Sequence, residues 1–509
     1  VRPAFTCLAI VADTVDRFRW AYCQLDNLRR CMPSSIRKAL DELPTTLDET
    51  YERTLEGIPK QKWQHAHRLF QCMVAAIRPL RVEELGELLA IEFGPDVAPT
   101  LMEGWRPENA EDAVLSACST LISIINDDGD DGSDDDSNGD DDNDYEHSKI
   151  VQFSHFSVKE FLTSYRLQSS SIGNISQFYI SSEPAHTTLA RACLTVLLQL
   201  DEHVDKKRLE TFPLAFYAAQ HWVDHAKFFD VISQVEGAME DLFNPKKSHF
   251  QSWLWVHNVE ERHDTKTLDA LSEHPSPLQT TPLYYAAFCG FSRLAKYLID
   301  SHGEDVNAYC DDSTHGTPLA AASYGGHLDL ARFLLDHGAD TNGSSEHENT
   351  PMRAAYAGGR PMAMRLLLEH GAYVDDQRGL EGLGTLLVSA SWHGRVEFVD
   401  LLLQYNANVH VRGYMGRASL IWASYRGYHE IARLLLEHGA DVNTQGDSPD
   451  SALHRAAKRG HFEFVRILLE HGADVHLRGF HGQTPFQVAT AEGHHKIAQL
   501  LLEHGAEEE

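Results

Sequence analysis

Thr281-Pro-Leu-Tyr-Tyr-Ala-Ala287 recurs as Thr317-Pro-Leu-Ala-Ala-Ala-Ser323, Thr350-Pro-Met-Arg-Ala-Ala-Tyr356 and Thr385-Leu-Leu-Val-Ser-Ala-Ser391. Three more copies follow: Ala418-Ser-Leu-Ile-Trp-Ala-Ser424, Ser451-Ala-Leu-His-Arg-Ala-Ala457 and Thr484-Pro-Phe-Gln-Val-Ala-Thr490. The steps between them are 36, 33, 35, 33, 33 and 33 residues, and LLDHGA, LLEHGA or a close variant follows each copy. Thr suits a helix N-cap and Pro the first helical position, where its missing N–H costs nothing. Paired alanines let two helices approach closely. Gly290 and its counterparts end a first helix and Gly303 and its counterparts a second, as left-handed caps. In the fourth copy Asn406 takes the glycine's place. The fourth to sixth copies carry Leu386, Ser419 and Ala452 where Pro is expected, which predicts local weakening.

A period of 33 residues built on T-P-L-H-x-A resembles the ankyrin repeat. The resemblance implies a C-terminal α-solenoid over 278–509 of about seven repeats, at 281–310, 317–346, 350–379, 385–413, 418–446, 451–479 and 484–506. Seven units exceed the roughly three that a stable stack needs. It also implies that a protein or peptide ligand is held by the concave face and the hairpin tips. The free helix position, seven after the motif Thr, maps onto Phe288, Tyr324, Ala357, Trp392, Tyr425, Lys458 and Ala491. Aromatics fill four of the first five. His393 and Arg426 stand beside them, the fifth tip adds Tyr414, Met415 and Arg417, and the last two repeats add Arg459, Phe480 and His481. Tyr, Trp and Arg dominate binding hot spots. An aromatic-basic stripe on an acidic chain favours an acidic or mixed-charge partner. The competing reading is that the aromatics only shield the helix–hairpin junction.

The chain has 509 residues, 42% hydrophobic and 23% charged, as expected for two to four globular domains. A formal charge of −31 disfavours nucleic acid and anionic membranes as partners. No apolar run approaches the length of a membrane span, and the N-terminus lacks a signal-peptide pattern. The first residue is Val rather than Met, which predicts a chain cut from a longer one. Eight cysteines without C-x-x-C spacing argue for reduced thiols and a cytoplasmic setting.

After an unassigned segment at 1–20, residues 21–168 read as a helical and winged-helix domain. Helices are expected over 21–58, Gln61–Ile77 and Val82–Ile91. Thr46-x-x-Glu49 reads as a capping box, and Leu47, Tyr51, Leu55 and Ile58 share one face. The runs Leu121–Ile125 and Ile150–Phe156 read as a β-hairpin, the wing, leading into a helix at Phe156–Leu162. A Ser-rich linker and a helical connector over 177–260 follow, with Pro213 in a first helical turn and Trp253 and Trp255 in a cap for the repeats. The overall class is mainly α.

The strings PTTLDETYERTL, RPLRVEELGELLAIEF and VQFSHFSVKEFL resemble the segment after the nucleotide-binding core of fungal NACHT-ankyrin proteins. These are STAND, NLR-like signalling NTPases, and a related segment is the winged helix named after GPI inositol-deacylase proteins. The resemblance implies that His155 is a sensor of the β-phosphate of ADP, in a protein that also carries a NACHT domain. A satisfied histidine at a strand end is the plainer reading.

The stretch 126–147 holds eleven aspartates. Asp134-x-Asp136-x-Asn138-Gly139 has EF-hand spacing, but its twelfth position is Tyr145, so a solvated acidic insertion is the better reading. There is no phosphate loop, no H-E-x-x-H and no G-x-S-x-G. Most of the thirty histidines fall in repeated Glu-His-Gly and Gly-His slots, where a structural role is expected. No catalytic residue, cofactor or metal site is therefore expected. The chain reads as a non-catalytic protein-interaction module, the ligand-sensing C-terminal part of a STAND/NLR-like receptor. The alternatives are the regulatory part of a P-loop NTPase whose NACHT core acts in cis or in trans, and a stand-alone ankyrin adaptor.

Overall fold

The structure is a computed structural model. It describes residues 46–94, 98–118, 121–127, 148–170, 174–228, 230–257, 271–272, 280–310, 313–343, 349–377 and 384–507. The expectations for residues 1–45 and for the acidic stretch from 128 to 147, the EF-hand spacing included, lie outside the described residues. The chain forms two compact units, residues 1–277 and 278–509.

In the first unit, α1 (Leu47–Glu56) starts at Thr46, whose hydroxyl accepts the Glu49 amide at 3.2 Å. Tyr51 and Leu55 are buried on its inner face and Ile58 just past its end, as their spacing predicts, while Leu47 is half-buried. Then come α2 (Trp63–Ala75), β1 (Leu80–Arg81), α3 (Val82–Leu89), β2 (Ile91–Glu92), β3 (Thr100–Leu101) and α4 (Ala110–Cys118). The strands β4 (Ile122–Asn126) and β5 (Lys149–Phe153) pair antiparallel, from Ile122 opposite Phe153 to Asn126 opposite Lys149. This is the hairpin that the two apolar runs anticipate. β1 adds a third strand on the other edge of β5, and α5 (Phe156–Leu162) and α6 (Tyr165–Gln168) follow.

The central element of this unit is α7 (Ser182–Leu197), whose C-terminal part, from Ala192 to Leu197, is buried on every side. It packs against α2 and, beyond α8 (Lys206–Glu210), against α9 (Ala215–Ala226) and α10 (Val231–Leu242). Phe178 meets Trp63 and Phe70 edge-on, each at 6.3 Å. Helices on both sides of the expected 168–177 division thus share one core. Trp253, on α11 (His249–Val256), meets Trp222 at 5.3 Å and donates its indole N–H to the Ala219 carbonyl at 3.0 Å. Pro213 precedes α9 instead of sitting in its first turn. The Leu214 N–H between them is held at 2.7 Å by the buried Glu87 carboxylate, which satisfies a donor at the helix start.

A chain of polar groups crosses this core. Tyr217 accepts the Ile77 amide at 3.3 Å, and its hydroxyl shares a hydrogen bond with His225 Nε2 at 2.9 Å. The other ring nitrogen of His225, Nδ1, shares a hydrogen bond with His186 Nδ1 at 2.9 Å. Burial pushes the His225 imidazole down to about 3.

In the second unit each copy of the motif forms a helix pair. The first helices are α12 (Pro282–Cys289), α14 (Pro318–Gly325), α16 (Pro351–Ala357), α18 (Leu386–His393), α20 (Ser419–Arg426), α22 (Ala452–Arg459) and α24 (Pro485–Ala491). The second helices are α13 (Ser292–His302), α15 (Leu328–Asp336), α17 (Pro361–Glu369), α19 (Val396–Gln404), α21 (His429–Glu437), α23 (Phe462–Glu470) and α25 (His495–Glu503). First helices pack in one row and second helices in another. Asn406, at φ 60°, stands in the left-handed region as expected of a glycine substitute.

The repeated histidines are structural, as their slots predict. His337, His438 and His471 hydrogen-bond through Nδ1 to the carbonyl four residues back at 2.8 to 2.9 Å. His461 Nε2 reaches back one repeat to the Tyr425 carbonyl at 3.4 Å. Its ring lies so close beneath Gly427 that a Cβ there would come within 2.6 Å of Nδ1.

The missing Thr-Pro starts have unequal consequences. Ser451 caps α22 by accepting the His454 amide at 3.4 Å, whereas Thr385 Oγ1 is buried with no hydrogen-bond partner. Ser451→Ala should therefore cost about 1 kcal/mol. Thr385→Val should be neutral or stabilising, since a buried hydroxyl without a partner carries only its desolvation cost. Urea unfolding of both variants checks this contrast.

Acid lability follows from His225. The unfolded chain binds a proton near pH 6.5 and the folded chain does not, so stability falls as pH drops below 6.5 towards the folded value. The loss should reach about 3 kcal/mol at pH 4. Chemical unfolding at pH 7 and pH 4 should show a smaller pH effect in His225→Leu than in the native chain.

Candidate functional site

Helix geometry decides which side chains the row of first helices can offer. The positions four, seven and eight after the motif start lie on one face, at i, i+3 and i+4. In the fourth repeat this face carries Ser389, Trp392 and His393; in the fifth, Trp422, Tyr425 and Arg426; in the sixth, Arg455, Lys458 and Arg459.

Aromatics at position seven stack from one repeat to the next. Phe288 and Tyr324 lie 6.2 Å apart with their planes 8° from parallel, and Trp392 and Tyr425 lie 6.0 Å apart at 25°. Ala357 separates the two stacks. They differ in what covers them. Tyr324 lies against His315 of the neighbouring tip at 4.3 Å, the shielding arrangement, and burial pushes His315 down to about 4. The second stack is covered by guanidinium groups. Arg426 lies over Trp392 and Arg459 over Tyr425, each at 4.3 Å from the ring centroid, and Arg417 lies over Trp422 at 4.6 Å. Each of the first two contacts joins position eight of one repeat to position seven of the repeat before. Cation–π contacts of this kind contribute about 0.5–1 kcal/mol where exposed.

Trp422, only 6% exposed, meets Trp392 edge-on at 4.5 Å. Its indole N–H is buried without a partner, as are Nε of Arg417 and Nε of Arg455. Arg455 pairs with Asp450 at 3.4 Å, and Arg459 donates to the Tyr425 hydroxyl. Among the described residues neither Arg417 nor Arg426 makes an ion pair.

The tips flank this cluster. Tyr414 and Phe480 are 52% and 57% exposed, each in a Gly-aromatic-x-Gly turn whose third residue, Met415 or His481, has a left-handed backbone at φ 58° or 60°. Lys458 is exposed. His393 is held instead, with Nδ1 taken up by the Ser389 carbonyl at 2.9 Å and the Tyr356 hydroxyl at 3.1 Å. The structure thus brings Trp392, Tyr425, Arg426, Arg417 and Arg459 together and keeps Tyr324 in the other stack. Trp422 and Arg455 were not singled out from the sequence, because only one free position per repeat was mapped. The signal was the variability of position four, which runs Tyr285, Ala321, Ala354, Ser389, Trp422, Arg455, Val488.

The family described as ankyrin repeats (3 copies) matches residues 256–345, 307–378, 352–446 and 420–509. The C-terminal half is built of ankyrin repeats. Azaphilone pigments biosynthesis cluster protein L of Monascus ruber is 30% identical over 313 residues, which cover 59% of this chain and 61% of that protein. Among solved structures, the human ASB11 ankyrin repeat domain is similar at 28% identity and a TM-score of 0.38, covering 45% of this chain and all of that one (100%). The ankyrin repeat domain of Bcl-3, a member of the IkappaB family, is similar at 31% identity and a TM-score of 0.39, covering 43% and 98%. The ankyrin repeats make this half a protein-interaction module. Among the described residues no helix is long and apolar enough to cross a membrane.

The first unit holds a cleft of about 1200 Å³, lined among others by Arg78, Glu84, Glu87, Arg106 and Phe216. Four of its charges form two ion pairs, Arg78 with Glu84 at 2.5 Å and Arg106 with Glu87 at 2.6 Å. Burial holds the Glu87 carboxyl above its usual range despite that pairing. His155 caps α5: its Nδ1 accepts the Ser157 amide at 3.3 Å and lies 2.6 Å from the Ser157 hydroxyl, leaving Nε2 as the other edge of the ring.

Proposed function

We propose that the chain is a non-catalytic binding protein that holds a protein partner against the first-helix row of the fourth to sixth ankyrin repeats, the concave side of the solenoid. The observation that carries this reading is the run of three rings, Trp392, Trp422 and Tyr425, covered by arginines that lack full charge partners. Such rings and guanidinium groups are the residue types that anchor interfaces. The exposed tips at Tyr414, Met415, Phe480 and His481 would widen the surface.

The first unit supports a finer reading. A three-stranded antiparallel sheet with β1 between α2 and α3 and the β4–β5 hairpin after α4 fits a winged helix, and by the sequence resemblance it would be the relay segment of a STAND or NLR-like receptor. In that reading His155 would offer Nε2 to a nucleotide on a NACHT domain acting in cis or in trans. The Monascus relative supports a fungal setting. A stand-alone adaptor is the alternative, and both place the protein in the cytoplasm.

Replacing Trp392, Tyr425 and Arg426 together by Ala should remove the partner from cross-linked affinity captures while the helical circular dichroism signal persists. Arg466→Ala, on the second-helix row, should retain it. Equal recovery by the folded triple variant would contradict the reading. Calorimetry should show no ATP binding by the 509-residue chain; tight binding would overturn the non-catalytic assignment.

A further inference from the structure

The arginines of the fourth to sixth repeats point to the chemistry of the partner. Like charges repel, yet Arg417, Arg426, Arg455 and Arg459 gather on one face, where Arg455 is within electrostatic reach of both Arg417 and Arg459. The structure holds three of them on aromatic rings rather than on carboxylates. A guanidinium lying over a ring is fixed by its face, and its N–H edge stays available for a carboxylate fork. Arg426 leaves all its donors unused among the described residues, and Arg459 spends one on Tyr425. Beneath them Trp422 N–H and two Nε groups are buried without acceptors. Acidic groups nearby are few: Asp450 is occupied by Arg455 and by the Phe480 amide at 2.8 Å, and Asp447 stands at the tip beside Gly416.

The spacing is informative as well. Arg426 and Arg459 occupy the same position on adjacent, packed helices, so their backbones are separated by about 8–10 Å. A peptide in the extended polyproline II conformation has three residues per turn and advances about 3.1 Å per residue, so side chains three residues apart share a face and match that step.

We propose that Arg426 and Arg459, backed by Arg417 and Arg455, read an acidic segment of a partner protein held in the extended polyproline II conformation, with carboxylates about three residues apart. This rests on the first-helix row being the partner surface. The acidic segment lies across the rings, with its apolar side chains on Trp392 and Tyr425.

Fluorescence anisotropy on the full chain tests it. The probe is a fluorescein-labelled peptide with Glu at every third position, compared with its Gln counterpart and with a peptide whose glutamates are clustered. The spaced Glu peptide should bind saturably and weaken with salt, and the Gln peptide should not bind. Arg426→Gln combined with Arg459→Gln should weaken binding at least about tenfold. Arg466→Gln should leave it unchanged. No saturable binding, equal affinity for the Gln or clustered peptides, equal affinity of the double variant, or tighter binding of a single-stranded oligonucleotide would each overturn the proposal. If the peptides fail while the Trp392, Tyr425 and Arg426 variant still loses its captured partner, the acidic assignment falls and the surface stands.

Discussion

Every first helix in the array is closed by the same hydrogen bond. The residue after the terminal glycine donates back to an alanine five positions into the motif, as in His327 to Ala322, Tyr428 to Ala423 and His461 to Ala456, at 3.0 to 3.1 Å. That alanine is present in all seven copies, and each is fully buried. The closure requires a left-handed residue just past the helix, and close stacking leaves no room for a Cβ on Gly427 above the His461 ring. Where the buried side admits only small residues, variation is confined to the opposite face.

One copy departs from this rule. Tyr356 stands where the others carry Ala, Ser or Thr. Its ring packs edge-on to Phe398 at 5.2 Å and under Arg395 at 4.3 Å, and its hydroxyl reaches His393 in the next repeat. The larger side chain is accommodated because Ser389 and His393 offer polar partners for its hydroxyl. It divides the array into a first part with self-shielded aromatics and a second part with arginine-covered ones.

The regular features of the array were legible in the sequence because they are local. Caps, the start of α12 at Thr281-Pro282 and the structural histidines each depend on residues a few positions apart or one period apart. The hairpin of β4 and β5 was legible from two apolar runs. The stacking of Arg426 on Trp392 was not, because it couples position eight of one repeat to position seven of the previous one. Trp422 lies at a helix position that the one-per-repeat mapping passes over, and although it is nearly buried its unpaired N–H belongs to the cluster. In the first unit, the shared core of α2, α7 and α9 was hidden because Phe178 and Glu87 act across long stretches of chain.

The central claim is that the arginine-covered first-helix row is the face that meets a partner. Hydrogen–deuterium exchange of the full chain, free and with the captured partner, addresses it directly. The account expects added protection to concentrate in residues 386–393, 414–426 and 452–459, with the second helices α19, α21 and α23 unchanged. Protection confined to the second helices, or to the first unit, would contradict it.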